Sequence, residues 1–256
     1  MTGPAPFADR IRESGRALIG TWLKLPSLEA VEILGDAGFD FVVIDQEHAP
    51  LDLQTAYAAI VVAQASGMNA LVRVPDRSGS HLQRLLDSGA DGILVPHIAG
   101  AAGTAEAVAA MTFPPDGDRG MGLTSRAGRW GRRSRADYVG RGAGVFRAVQ
   151  LEDLDSLDEA EAIVATPGLS GVFVGMGDLQ LSTGLPADDP ELRGRVDRVL
   201  EAARRADVPV GTAVQSPADF RAAVARGYSY VMVGNDTGML ANESSRLVRE
   251  SLGIEA

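Results

Sequence analysis

Eight strand-like runs alternate with eight helix-like runs along the chain, and few folds accept that rhythm. The strand-like runs are Ala17–Leu23, Phe41–Asp45, Ala70–Val74, Gly92–Pro96, Phe146–Leu151, Gly171–Gly175, Val208–Val214 and Tyr230–Gly234. Helix-like runs fall between and after them, near Leu28–Ala37, Leu53–Ser66, His81–Ser88, Ala101–Met111, Ser156–Ala165, Pro190–Ala206, Pro217–Arg226 and Ser244–Leu252. Phe41-Val42-Val43-Ile44 is apolar without alternation, which suits a strand covered on both faces of a parallel sheet. Right-handed crossovers close eight such units most simply into a (β/α)8 barrel. The 256 residues match one barrel of about 250 residues. The expectation is an α/β fold, one TIM-barrel domain over residues 1–256, with a long arginine-rich loop at about 113–144.

Three phrases recur where helices end: Asp36-Ala37-Gly38-Phe39-Asp40, Asp87-Ser88-Gly89-Ala90-Asp91 and Ala225-Arg226-Gly227-Tyr228-Ser229. In each the glycine suits a left-handed helix cap. Two stretches break the rhythm. Phe113–Gly144 holds six arginines from Arg119 to Arg135, and a connection of that length is usually a functional loop or an interface. Gly175-Met176-Gly177-Asp178-Leu179 reads as a glycine-flanked turn suited to close approach of a small ligand.

Composition removes several classes of function. A formal charge of −10 and the lack of a basic stripe with interleaved aromatics argue against a nucleic-acid partner. The absence of cysteine excludes disulfides, thiolate catalysis and zinc-thiolate sites. No apolar run approaches the ~18 residues of a membrane span, and Met1–Gly15 lacks an apolar core behind basic residues, so no membrane partner and a cytoplasmic location are expected. Lys24 is the only lysine. It is therefore the only candidate for an imine-forming amine, the alternative being a solvated loop lysine.

Residues just past the carboxyl ends of barrel strands face the reaction site. Here these are Asp45, Glu47 and His48 after the second strand, Arg73 on the third, His97 after the fourth, Glu152 after the fifth and Asp178 after the sixth. Glu152 and Asp178 end apolar strands at one mouth and suit a magnesium-type cation, which takes one or two carboxylates and leaves room for water and substrate. Two solvated loop acids are the alternative. Arg73, inside Leu71-Val72-Arg73-Val74, must meet a carboxylate of either the protein or the substrate. His48 could handle a proton or cap its loop. Metal, arginine and histidine at one mouth are what enolate chemistry needs. His97 is expected only to pack there, and His81 to cap a helix or stand in solvent.

With these motifs in order, the chain resembles the HpcH/HpaI family of class II, metal-dependent pyruvate aldolases. The match runs from about Gly20 through Asp45-Gln46-Glu47-His48-Ala49-Pro50, Val72-Arg73-Val74, Leu94-Val95-Pro96, Pro114-Pro115 with Arg119-Gly120, Gln150-Leu151-Glu152 and Val174-Gly175-Met176-Gly177-Asp178-Leu179. The resemblance implies a homo-oligomer, often a hexamer that exchanges its last helix. It implies Mg2+ or Mn2+, with Co2+ as a further candidate, on Glu152 and Asp178, and no organic cofactor. It implies pyruvate and an aldehyde as substrates, with Arg73 stabilising the enolate and His48 as base through a water. The amides of Gly177 and Asp178 would hold the pyruvate carboxylate, and Asp87 would support the histidine. Because Asp87 ends a helix at the face away from the site, it would reach His48 only from a neighbouring subunit. Asp45 and Glu47 are expected to orient His48 and the mouth. Gln46 and Met176-Gly177 depart from the family pattern, and Gln46 is expected to touch substrate and influence the acceptor. Oxaloacetate decarboxylation, citrate-lyase-like cleavage and a catalytically silent assembly protein are the rival readings.

Overall fold

A computed structural model describes residues 4–254. A short helix, α1 (Phe7–Glu13), leads into β1 (Leu18–Leu23), α2 (Leu28–Asp36), β2 (Phe41–Asp45), α3 (Leu53–Ala65) and β3 (Asn69–Arg73). Next come α4 (Gly79–Asp87), β4 (Gly92–Val95), α5 (Gly100–Met111), α6 (Arg135–Ala143) and β5 (Phe146–Leu151). The remainder comprises α7 (Leu154–Asp158), α8 (Ala160–Val164), β6 (Gly171–Val174), α9 (Met176–Thr183), α10 (Pro190–Arg205), β7 (Val210–Val214), α11 (Pro217–Arg226), β8 (Tyr230–Asn235) and α12 (Asp236–Leu252). The eight strands are all parallel, pair in chain order and close where β8 meets β1. The chain is a single-domain (β/α)8 barrel.

Strand alternation sorts the apolar residues into two cores. Leu18, Trp22, Phe41, Val43, Leu71, Leu94, Phe146, Ala148, Phe173, Tyr230 and Met232 fill the barrel interior, and their sequence neighbours pack outward under the helices. At the amino-terminal end the rings of Phe41, Phe146 and Tyr230 share the interior with Phe7, which seals that end edge-on at 4.9 Å from each phenylalanine and 5.7 Å from the tyrosine. Glycines make room for those rings. A Cβ on Gly20, Gly171 or Gly211 would lie 2.4, 2.4 or 2.1 Å from the ring it faces. Alternating large and small residues fill the narrow bore, as in other small barrels.

The three recurrent helix ends behave as expected: Gly38, Gly89 and Gly227 take φ of 92°, 88° and 102°. In two of them the aspartate two residues later does further work. Asp40 and Asp91 accept backbone N–H groups from Ile19 and Ala70 on the preceding strands, at 2.9 and 2.8 Å.

Five local expectations need correction. The amino-terminal segment forms α1, anchored by the buried Phe7. The long arginine-rich connection contains α6, capped by Ser134, whose hydroxyl accepts from the amide of Asp137 at 3.1 Å. The stretch read as a turn at Met176-Gly177-Asp178 is the first turn of α9. The last helix begins at Asp236 rather than Ser244, because the turn-like Asn235-Asp236-Thr237-Gly238 is its cap: Asn235 accepts from the Gly238 amide at 2.7 Å. Helices α7 and α8 replace one continuous run, meeting at Glu159.

Candidate active site at the carboxyl end of the barrel

The register of β2 and β3 places Asp45 beside Arg73. Both continue the inward-facing parity of Phe41, Val43 and Leu71, so a fully buried carboxylate meets a nearly buried guanidinium inside the barrel. The pair is bidentate: Arg73 Nε and Nη2 donate to Asp45 Oδ1 and Oδ2 at 3.0 and 2.8 Å. The Arg73 guanidinium also lies 4.2 Å over the Trp22 ring. Lys24, at the end of β1, forms an ion pair with the second oxygen of Asp45. The Asp45 carboxyl also accepts the amides of Glu47 and His48, both at 3.2 Å. Burial pushes its pKa up, but the bonds and charges of Arg73 and Lys24 outweigh that and hold it at about 2.

Charge continues across the mouth. Glu47 Oε2 lies 3.0 Å from Arg73 Nη1 and 3.8 Å from His48 Nε2, yet as a buried oxygen it receives no aligned hydrogen bond. Glu47 Oε1 lies 2.7 Å from His97 Nε2, while His97 Nδ1 and the His97 backbone N–H reach Glu152 Oε1 at 2.8 and 2.7 Å. Gln150, inward-facing on β5, donates to the other oxygen of Glu152, leaving its own Oε1 buried and unpartnered. Burial raises the Glu152 pKa, and the Asp178 carboxylate adds to that effect against the lowering influence of His97.

His48 stands at the rim with its side chain 56% exposed. Asp45 orients it through the backbone amide rather than the imidazole. Gln46 is largely buried, and both ends of its amide are occupied: Nε2 donates to the Leu51 carbonyl at 3.1 Å, and Oε1 pairs with His81 Nε2 at 3.0 Å. His81 is thus neither a cap nor free in solvent, and burial pushes its pKa down. Asp178 occupies the first turn of α9, and Gly177 is exposed beside it. The first intrahelical bond of α9 runs from Leu179 to Gly175, and no side chain caps this end, so the amides of Met176, Gly177 and Asp178 have no partner within the helix. Asp87 is remote from His48 within the chain, tied to Tyr138 and Arg119 at 2.8 and 3.0 Å. Beside it a broad hollow is lined by Arg119, Arg126, Arg129, Arg132, Arg133 and Arg141.

His97 does more than pack. Its backbone takes φ 54°, which aims the ring across the mouth. Its place after a barrel strand marked it as a candidate, but that local backbone turn could not be anticipated. Lys24 is likewise drawn into the site by Asp45.

The donors fit a divalent cation. Asp45 and Glu47 meet two fixed cations, Lys24 and Arg73, whereas Glu152 has the Asp178 carboxylate close enough to act on its charge, so two formal negative charges remain for a cation to neutralise. The orphaned oxygens of Glu47 and Gln150 can accept from water bound to such an ion. Among the described residues no group of three His, Asp or Glu side chains is placed to hold a metal ion by itself.

The HpcH/HpaI aldolase/citrate lyase family model matches residues 18–243. The chain is 36% identical over 252 residues to a 4-hydroxy-2-oxovalerate aldolase of Rhodococcus jostii, covering 96% of each protein. It is 34% identical over 232 residues to a 5-keto-4-deoxy-D-glucarate aldolase of Klebsiella pneumoniae, covering 90% of each. A crystal structure of a family protein from Burkholderia cenocepacia superposes with a TM-score of 0.88 at 35% identity, covering 95% of this chain and 98% of that one. The barrel, the charged mouth and these likenesses agree: the chain belongs to the HpcH/HpaI aldolase/citrate lyase family and is a carbon–carbon lyase of the aldolase type.

Proposed function

We propose that the barrel mouth cleaves and forms 4-hydroxy-2-oxo acids, with pyruvate and an aldehyde on the other side of the reaction. The observation that carries this reading is the alignment of a buried arginine, two cation-suited carboxylates and an exposed histidine around one opening. Glu152 and Asp178 would hold Mg2+ or Mn2+, which when bound supplies positive charge to offset the negative charge of the enolate.

The chain's own residues divide the remaining work. The free amides at the start of α9, those of Gly177 and Asp178, suit the substrate carboxylate. Arg73 donates two of its five N–H groups to Asp45, so others remain for the C2 oxygen as it gains charge. In cleavage, His48 accepts the proton of the C4 hydroxyl through a water. The C3–C4 bond breaks, the C4 carbon leaves as the aldehyde carbonyl, and the electron pair passes into the pyruvate enolate. Protonation at C3 then gives pyruvate. Asp45 keeps Arg73 and the amide of His48 in place. Gln46 acts through the loop it ties to Leu51 and His81, and so bears on which acceptor fits.

A homo-oligomer completes this reading. Every residue of α12 from Met239 to Leu252 is exposed, and Leu240, Leu247, Val248 and Leu252 share one apolar face. A second copy is the occupant that matches a helix exchanged between subunits. Asp87 lies at the opposite end of its helix from the mouth, so any support it gives His48 crosses between subunits.

The test is product analysis with purified protein and added divalent metal. A 4-hydroxy-2-oxo acid should yield pyruvate and aldehyde in equal amounts. Oxaloacetate turnover with no aldehyde accepted or released would favour decarboxylation instead.

A further inference from the structure

Lys24 has no part in the division of labour above, yet it is the chain's only lysine and is fixed at both ends by carboxylates. Its side chain pairs with Asp45, and its backbone N–H donates to Asp236 Oδ1 and Oδ2 at 2.9 and 3.1 Å. The Leu25 amide binds the same Asp236 at 2.8 Å, so the end of β1 is fastened to the start of α12. The side chain is 23% exposed at the mouth.

The four charges on this side alternate in contact order: Lys24, Asp45, Arg73, Glu47. Two cations meet two carboxylates. Without Lys24, the guanidinium would face two carboxylates alone, and its field at the substrate would be largely cancelled by them. With Lys24, Asp45 is shared between two cations. Arg73 then keeps positive potential toward the opening, in a site of low dielectric where such differences are large.

We propose that Lys24 is a positioning residue of the aldolase reaction: its ammonium draws on Asp45 so that Arg73 remains an effective stabiliser of the developing C2 oxyanion. This rests on the enolate reading given above. It also gives the lone lysine an electrostatic role in place of imine formation. A group that acts on the oxyanion should favour the transition state over the ground state.

The test compares the unaltered protein with Lys24→Met and Lys24→Arg in metal-dependent exchange of pyruvate methyl protons with deuterated buffer. Lys24→Met is expected to lower kcat about tenfold or more with pyruvate KM within about twofold, and Lys24→Arg to restore most of the rate. Inhibition by oxalate, a planar analogue of the enolate, should weaken in Lys24→Met by a factor similar to the loss in kcat. The Asp45 carboxyl, followed by 13C NMR, should titrate higher in Lys24→Met, a shift that needs no turnover. Undiminished kcat or unchanged oxalate affinity in Lys24→Met would overturn the role of Lys24 alone. So would an unmoved Asp45 titration, or borohydride trapping of pyruvate on Lys24. Absence of exchange in the unaltered protein with any divalent metal would overturn the enolate reading itself.

Discussion

Asp45 gathers two cationic side chains and two backbone amides of the barrel mouth around one buried carboxylate. It accepts from Arg73, two backbone amides and Lys24, and against its burial the bonds and charges of Arg73 and Lys24 hold its pKa at about 2, below an ordinary 3.8. A carboxyl depressed on folding stabilises the folded state above its unfolded pKa, and that contribution is lost as pH falls through the folded value. The urea midpoint of Asp45→Asn is therefore expected to lie below that of the unaltered protein at pH 5 and to converge with it between about pH 4 and pH 2. At the other side of the mouth, Glu152→Gln or Asp178→Asn should weaken Mn2+ binding more than about 100-fold, beyond the loss typical of an outer-sphere partner, as read by calorimetry. Arg73 was legible from sequence because a guanidinium inside an apolar strand demands a carboxylate. The direction of His97 and the engagement of Gln46 were not, since loop backbone angles and cross-loop partners set them.

At the scale of elements, strand periods and helix-capping glycines make the barrel readable, while short elements inside connections escape. Helix α1 has a single buried residue, Phe7, and no periodic signal extends around it. Its importance appears only once Phe41, Phe146 and Tyr230 converge on it. Phe7→Ala should cost about 3–5 kcal/mol by chemical denaturation, since the surrounding rings and barrel strands have little freedom to refill the space. The start of α9 was hidden because glycines around a lone methionine resemble a turn. There the helix turns unpaired amides and an acid toward the mouth in one step.

For the whole molecule, the described residues contain no helix long and apolar enough to cross a membrane, and the exposed apolar face of α12 suits the second copy of the chain proposed above. Leu240→Glu, at a position 61% exposed, should leave the barrel folded by circular dichroism yet shift its sedimentation toward smaller species. Asp236 at the base of α12 anchors the end of β1, which links the helix proposed to exchange between subunits to Lys24 and the mouth. A barrel of eight units could be read from one chain. The ties of Asp87 to Tyr138 and Arg119 could not, because residues brought together across a long connection leave no local pattern.

The proposed reaction requires this mouth to generate a pyruvate enolate with a divalent cation held by Glu152 and Asp178. Proton NMR of pyruvate in deuterated buffer tests it most directly. The methyl signal is expected to disappear with protein and Mg2+ or Mn2+, to be preserved by chelator, and to persist with Glu152→Gln. A methyl signal that persists with every divalent metal, or that disappears equally with Glu152→Gln, would contradict it.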